Sequence, residues 1–383
     1  MPWEYLPFFS SLNQFQKQAD LLLDGHRAKV IEALRIIHHH HPRFMSPDLP
    51  WLPRDLSPTE IAEDRFDVAD ARLAVARGYC FFDWQALAVF VEAAQDRESE
   101  VYAFESAVEA VISGDLPTLR SLLQKRPELV RARSTRRTNF DPPRHRATLL
   151  HYVAANGVEN YRQKTPENAL QIAETLLEAG AEADALADLY GTECTTMSLL
   201  VSSCHPAEAG VQVPLIHLLL DHGAAVEGRG SNKWSTPLMT ALIFGYPAAA
   251  EALRSRGAKV DNIAAAAGLG LHAEAGHLIS SSDRPSRHRA LALAAQLGHA
   301  RVVRLLLDSG EDPSRYNPDG YHAHATPLHQ AALAGHEAVV RLLVERGASL
   351  EIKDKIYQST PLGWANHAGK SAITELLEAA GGR

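Results

Sequence analysis

The sequence predicts an all-α solenoid, a row of paired antiparallel helices in which no pair is large enough to bury a core alone. Three observations predict it. A ten-residue frame recurs along the last three quarters of the chain. Most copies are followed by a second, leucine-rich helical pattern. Glycine stands where many of these patterns end. Self-similarity with a period of about 20 to 50 residues marks a stack of small structural units.

The frame is clearest at Thr326, "TPLHQAALAG", and recurs at Thr360 ("TPLGWANHAG"), Thr236 ("TPLMTALIFG") and Thr148 ("TLLHYVAANG"). A copy with a larger loop starts at Thr195 ("TTMSLLVSS"). Degenerate copies lacking Thr-Pro start at Glu105, Asp261 and Arg289, which makes eight anchors. Asp261 follows Thr236 by 25 residues and Arg289 follows Asp261 by 28, so the connecting loops there are expected to be missing. A bend or hinge is expected over 255–300, because the stability of a stack depends on nearest-neighbour interfaces.

One unit can be derived from its residues. Thr326 is a helix-starting residue whose hydroxyl suits an orphan backbone N–H. Pro327 at the first helical position loses no hydrogen bond and pre-sets φ. Leu328, Ala331 and Ala332 form a narrow apolar stripe that lets a neighbouring helix approach. Gly335 is expected to end the helix in a left-handed conformation. Val339, Val340, Leu342 and Leu343 of the second helix fill the layer between units, and Gly347 ends it. Each unit is half covered until the next one stacks on it.

The Thr-Pro-Leu-His start, the "AALAGH" middle and the leucine-rich run to Gly347-Ala348 closely resemble the ankyrin repeat. "TLLHYVAANG" with "LLEAGAEAD", and "TPLM" with "RSRGAKVD", resemble it too. The resemblance covers roughly 102–381 and is weakest at 261–280, where the unit looks truncated. It implies β-hairpin loops projecting like fingers, and a partner-binding concave face made by the fingers and first helices. It also implies a structural role for His329 and His151, bonding backbone between neighbouring loops.

Two domains follow: residues 1–100 as a helical region capping the array, and 101–383 as about eight ankyrin units. Leu12, Phe15, Ala19 and Leu22, then Val30, Leu34 and Ile37, have helical spacing; Asp24-Gly25 is expected to interrupt them. Five prolines over 42–58 predict an extended connection. "SPTE" at 57–60 predicts a capping box, with one helix running on to Gly78. Asp83 is expected to cap the next helix, with Phe82 stapled onto Leu87. "ADARLAVARGYCFFDWQAL" is similar to helical segments that precede ankyrin arrays in bacterial proteins.

Composition narrows the function. The 383 residues are 46% hydrophobic and 22% charged, which suits a folding chain. A net charge of −8 argues against a general nucleic-acid surface. Three widely spaced cysteines argue for a reducing compartment, and no signal peptide or membrane span is expected, so the expected location is cytoplasmic. No phosphate loop, Gly-x-Ser-x-Gly or His-Glu-x-x-His motif appears, and no cofactor is expected. His38 to His41 point about 100° apart on a helix and do not converge on one ion. His322-x-His324 on an extended strand would put two rings on one face, with His205 or His367 as a third metal ligand, yet a fourth is lacking.

The fingers carry the strongest functional signal. Gly191 stands four residues before Thr195, and Gly320 six before Thr326, so both fingers are enlarged. An insertion at 158–168 adds Tyr161 and Arg162. Tyr190, Trp234, Tyr321, His322, His324 and Tyr357 are expected to form a row of tips, and aromatics are large anchors with little rotamer freedom to lose. With His205 and Trp364 these ten are the candidate binding residues. The function expected is a protein-protein interaction module acting through the concave face and fingers, with no nucleic-acid or membrane partner. The alternative is an enzyme or small-molecule receptor, its pocket built by the fingers and the insertion from Tyr161, His205, Tyr321, His322 and His324.

Overall fold

The computed structural model describes residues 3–49, 51–139, 143–155, 160–229 and 236–382. These residues are mostly helical, as expected of an all-α repeat fold, and hold a single short β-hairpin. The chain divides into two compact units, Met1–Ala224 with Arg229–Asn232, and Ala225–Gly228 with Lys233–Arg383.

The first unit opens with helices Leu12–Arg27 and Ile31–His40. The break falls at Ala28–Val30, where Lys29 takes φ +55, and not at Asp24-Gly25. Gly25 is helical for a packing reason: a Cβ there would stand 2.5 Å from the Ala33 Cβ of the second helix. Ser57 and Glu60 form the capping box of Pro58–Glu63, each bonding the other's backbone N–H. That helix ends at once, and Asp67 caps a separate helix, Val68–Gly78, by accepting from Ala69 and Asp70 N–H. Asp83 caps Trp84–Gln95 as expected. Phe82 does not disappear beneath that helix; its exposed ring lies 5.4 Å from the guanidiniums of both Arg77 and Arg137. Phe8, Phe15, Leu34, Tyr79, Phe81 and Leu87 share one core.

Three helix pairs complete this unit: Glu100–Ser113 with Leu116–Lys125, Leu149–Val153 with Ala169–Glu178, and Thr196–Leu200 with Gln212–Asp221. The hairpin Ala187–Leu189 and Thr192–Cys194 projects before the third pair. Its two-residue turn has Tyr190 at φ +55 and Gly191 at +71, the primed geometry that matches strand twist.

The second unit holds five pairs: Pro237–Ile243 with Pro247–Ser255, Ile263–Gly268 with His272–Leu278, Arg284–Gln296 with Ala300–Asp308, Pro327–Ala334 with Glu337–Glu345, and Pro361–His367 with Ser371–Ala379. First helices pack on first helices, and second on second. The inner layer is alanine-rich (Ala266, Ala290, Ala294, Ala331, Ala332), whereas the outer layer buries Val302, Val303, Leu306, Val339, Val340 and Leu343. Small side chains set the spacing of the inner layer: a Cβ on Gly268 would meet Leu242 Cδ1 at 2.9 Å. One core runs from Ile263 to Leu377. The unit at Asp261 is short but complete, with Asn262 capping its first helix.

Gly335 ends its helix at φ +82, as derived. Histidines then tie the units together. The backbone N–H of Thr326 donates to His329 Nδ1, which leaves Nε2–H to donate to the Ser359 carbonyl in the next unit at 3.1 Å. His151 repeats this with Thr148 and Cys194. His299 and His336 bond the opposite way, to Gly268 and Gln296 carbonyls of the preceding unit, both at 2.9 Å.

Candidate functional site

The last finger of the second unit is organised by one carboxylate. Asp354 is fully buried and accepts from Ile356 N, Tyr357 N, Ser359 N and Trp364 Nε1 at 2.6 to 3.1 Å. Burial pushes its pKa up, but these four donors outweigh burial and hold it below the usual aspartate value. The turn leaves the Tyr357 ring 64% exposed. Trp364 faces inward instead, with its ring 5.2 Å from His329 and 5.7 Å from His324. Burial lowers the pKa of both imidazoles, so they are neutral packing groups at pH 7. Lys355 N–H donates to the His324 carbonyl at 2.8 Å and joins this finger to the preceding one.

Beside it lies a groove of about 420 Å³ lined by Leu333, Tyr357, Ser359, Gly363, Trp364 and His367. Leu333 is an exposed apolar residue on a first helix. Phe244, at the end of the Pro237–Ile243 helix, is another.

The enlarged finger around Gly320 bends back along its own unit. His322 takes φ +62 and its Nε2 donates to the Ile243 carbonyl at 3.1 Å, where Gln296 also donates. It thereby spans the two units whose spacing left no room for fingers. His322 and His324 are not on a strand, and their rings stand at 80° and 6.2 Å apart, each committed to a different neighbour. Among the described residues no three histidine, cysteine or acidic side chains are grouped to hold a metal ion. Under this finger is a recess of about 370 Å³ lined by Tyr321, Arg289, Lys259, Glu227, Asp261 and Ser286, among others. Burial raises the Tyr321 hydroxyl pKa, which nearby Arg289 opposes.

The remaining candidate residues divide differently. Tyr190 is exposed at its hairpin tip, and His205 is half-buried in the short helix Cys204–Glu208. Trp234 lies outside the described residues. Tyr161 and Arg162 are not surface tips. Tyr161 stacks on Tyr5 at 4.2 Å. Arg162 is buried, with ion pairs to Glu105 at 2.8 Å and Glu109 at 2.9 Å. The insertion therefore anchors to the core of the first unit. The histidine run is also structural: His38 bonds the Arg54 carbonyl, His39 bonds that of Arg35, and His41 is buried beside Asp70. Burial, with a contribution from His39, pushes His40 down to about 4.

Sequence reasoning missed Leu333, Lys259 and Asp354. Leu333 sat in the motif as one more apolar letter, and Lys259 in a repeat read as degenerate. The cluster "KDKIYQST" hinted at Asp354, since an aspartate opening a turn bonds the N–H groups that follow it.

Comparison with known proteins agrees with this geometry. Residues 263–354 and 291–381 match the ankyrin-repeat family model, which describes three copies. The chain is 37% identical over 89 residues to the mouse protein named inactive serine/threonine-protein kinase TEX14, and 36% identical over 89 residues to its bovine counterpart. Each alignment covers 23% of this chain, which spans only 6% of those relatives' length. Residues 263–381, with inner helices, outer helices and histidine ties in register, are ankyrin repeats within an all-α repeat fold.

Proposed function

We propose that this protein binds another protein through the inner-helix and finger face of its second unit. The observation carrying this reading is the groove at the last two repeats. An exposed tyrosine and an exposed leucine flank a wall made by Trp364, whose indole is held by a buried hydrogen bond to Asp354. Such preorganised aromatic and aliphatic anchors suit a binding hot spot. Ankyrin repeats in general serve protein interaction, and the fold-level analogy points the same way. The first hundred residues act as a cap for the array, and the protein works in the cytoplasm.

The test is capture from native extract by wild type and by Leu333→Asp and Tyr357→Ala, each checked first for an unchanged thermal melt. Partners retained by wild type and lost by both variants support the reading. Recovery of the same set by all three proteins removes it. His322 bonds a main-chain carbonyl and His324 packs on Trp364, and no observation favours the catalytic alternative.

A further inference from the structure

A second surface lies in the first unit and is chemically unlike the groove above. Residues 131–139 and 143–146 carry six arginines in a chain of net charge −8. These residues are pinned from beneath. Arg136 is fully buried, its guanidinium 4.5 Å from both the Phe8 and Phe81 rings, and its Nη2 donates to the Tyr79 carbonyl. Phe82 N–H donates to the Arg137 carbonyl at 3.0 Å, Ser134 N–H to that of Ala147 at 2.9 Å, and Thr138 N–H to that of Pro143 at 2.7 Å. Arg137 and Arg144, both exposed, are thus displayed from a fixed backbone.

They rim a groove of about 230 Å³ whose floor is apolar: Ala86, Val89, Phe90 and Ala93 from the Trp84–Gln95 helix, and Val101. Val89 is 55% exposed and Phe82 43%. Among the described residues no carboxylate lines the groove. Arg137 and Arg144 form no ion pair among the described residues.

We propose that this groove docks an acidic peptide segment, with an aliphatic side chain on the floor and flanking carboxylates on Arg137 and Arg144. Guanidinium pairs bidentately with carboxylate, and among the described residues no acid pairs with Arg137 or Arg144, which leaves that valence for the partner. The volume suits one or two leucine-sized side chains. A single-stranded nucleic acid would answer the charge but not the floor, since base recognition uses exposed aromatic stacking platforms and the lining ring, Phe90, is buried. The surface resembles an interface core with a charged rim, which gives both a fast encounter and a fixed register.

The test is fluorescence anisotropy on the full chain at moderate salt. The probes are a labelled peptide of about twelve residues, rich in Glu and Asp with leucines four apart, the same peptide with serine for leucine, and a uridine oligonucleotide of equal length. The leucine peptide is expected to bind, and R137E/R144E to weaken it by about tenfold or more. Val89→Ser and the leucine-free peptide should each lose several-fold. Arg144→Gln, at a side chain that forms no ion pair among the described residues, provides a second variant if the double one does not fold. Equal binding of the leucine-free peptide, tighter binding of the oligonucleotide, indifference to the arginine variants, or no binding would each overturn the proposal.

Discussion

The histidine ties make a quantitative prediction at Gly298. This residue has φ +82, and a Cβ there would stand 2.7 Å from Nδ1 and 2.8 Å from Cε1 of His336 in the next repeat. That ring must stay where it is to bond the Gln296 carbonyl at 2.9 Å. Gly298→Ala therefore has two costs. The left-handed backbone costs an alanine about 1 kcal/mol. Displacing the imidazole forfeits an inter-repeat hydrogen bond, about 1 kcal/mol net, and disturbs its packing. The expected destabilisation is about 2 to 3 kcal/mol. Gly310 is the control: its φ is +91, yet nothing stands within 4 Å of its Cβ position, so Gly310→Ala should show the backbone term alone, about 1 kcal/mol. Urea unfolding followed by far-UV circular dichroism gives both values. Hydrogen exchange over Arg284–Gln296 and Pro327–Ala334 localises the effect, because a stack need not unfold as one. A Gly298→Ala/His336→Ala double variant should cost less than its parts. Equal losses at the two glycines, or strict additivity in the double variant, would refute the reasoning.

Other sites give further expectations. Arg136→Ala empties a fully buried site against three aromatic rings and should lower stability by at least about 3 kcal/mol, read from the thermal midpoint. Asp354→Ala releases four donors at once; a loss of about 2 to 3 kcal/mol and a shift in tryptophan emission are expected. His151 is held at about 4 by burial, opposed only in part by its bond to Cys194. Its folded value lies below the unfolded one, so its contribution is intact above pH 6.5 and falls away as pH drops towards 4. The loss is of the order of 3 kcal/mol, and a pH series of urea midpoints should be flatter over that window in His151→Gln.

Much of the array was legible because its information is local. Each of the eight anchors marks a first helix, and Thr-Pro, alanine stripes and terminal glycines act within one turn of where they sit. Two outer helices, His272–Leu278 and Ser371–Ala379, were obscured; each has only one or two fully buried side chains. The N-terminal breaks were misplaced for a related reason. Gly25 looked like a stop, but its role is set by Ala33 in a different helix. Asp67 opens a helix through bonds that spacing alone did not separate from a continuous run. Arg162 shows the limit most clearly. Its polarity and place in an insertion suggested a surface, whereas Glu105 and Glu109, one helical turn apart and far away in sequence, draw it inside. The glutamate pair was visible; which cation would answer it was not. His322 failed as a ligand because its ring reaches the Ile243 carbonyl, a long-range partner that no motif records.

Each of these four inter-repeat imidazoles makes its hydrogen bond to the neighbour at a carbonyl oxygen. Main chain is the same whatever residue carries it. A neighbouring repeat can therefore drift far from its founding motif, as the alanine run after Asn262 has done, and still be grasped. The joints of this molecule are indifferent to spelling, which leaves its outward letters free to change with whatever it must hold.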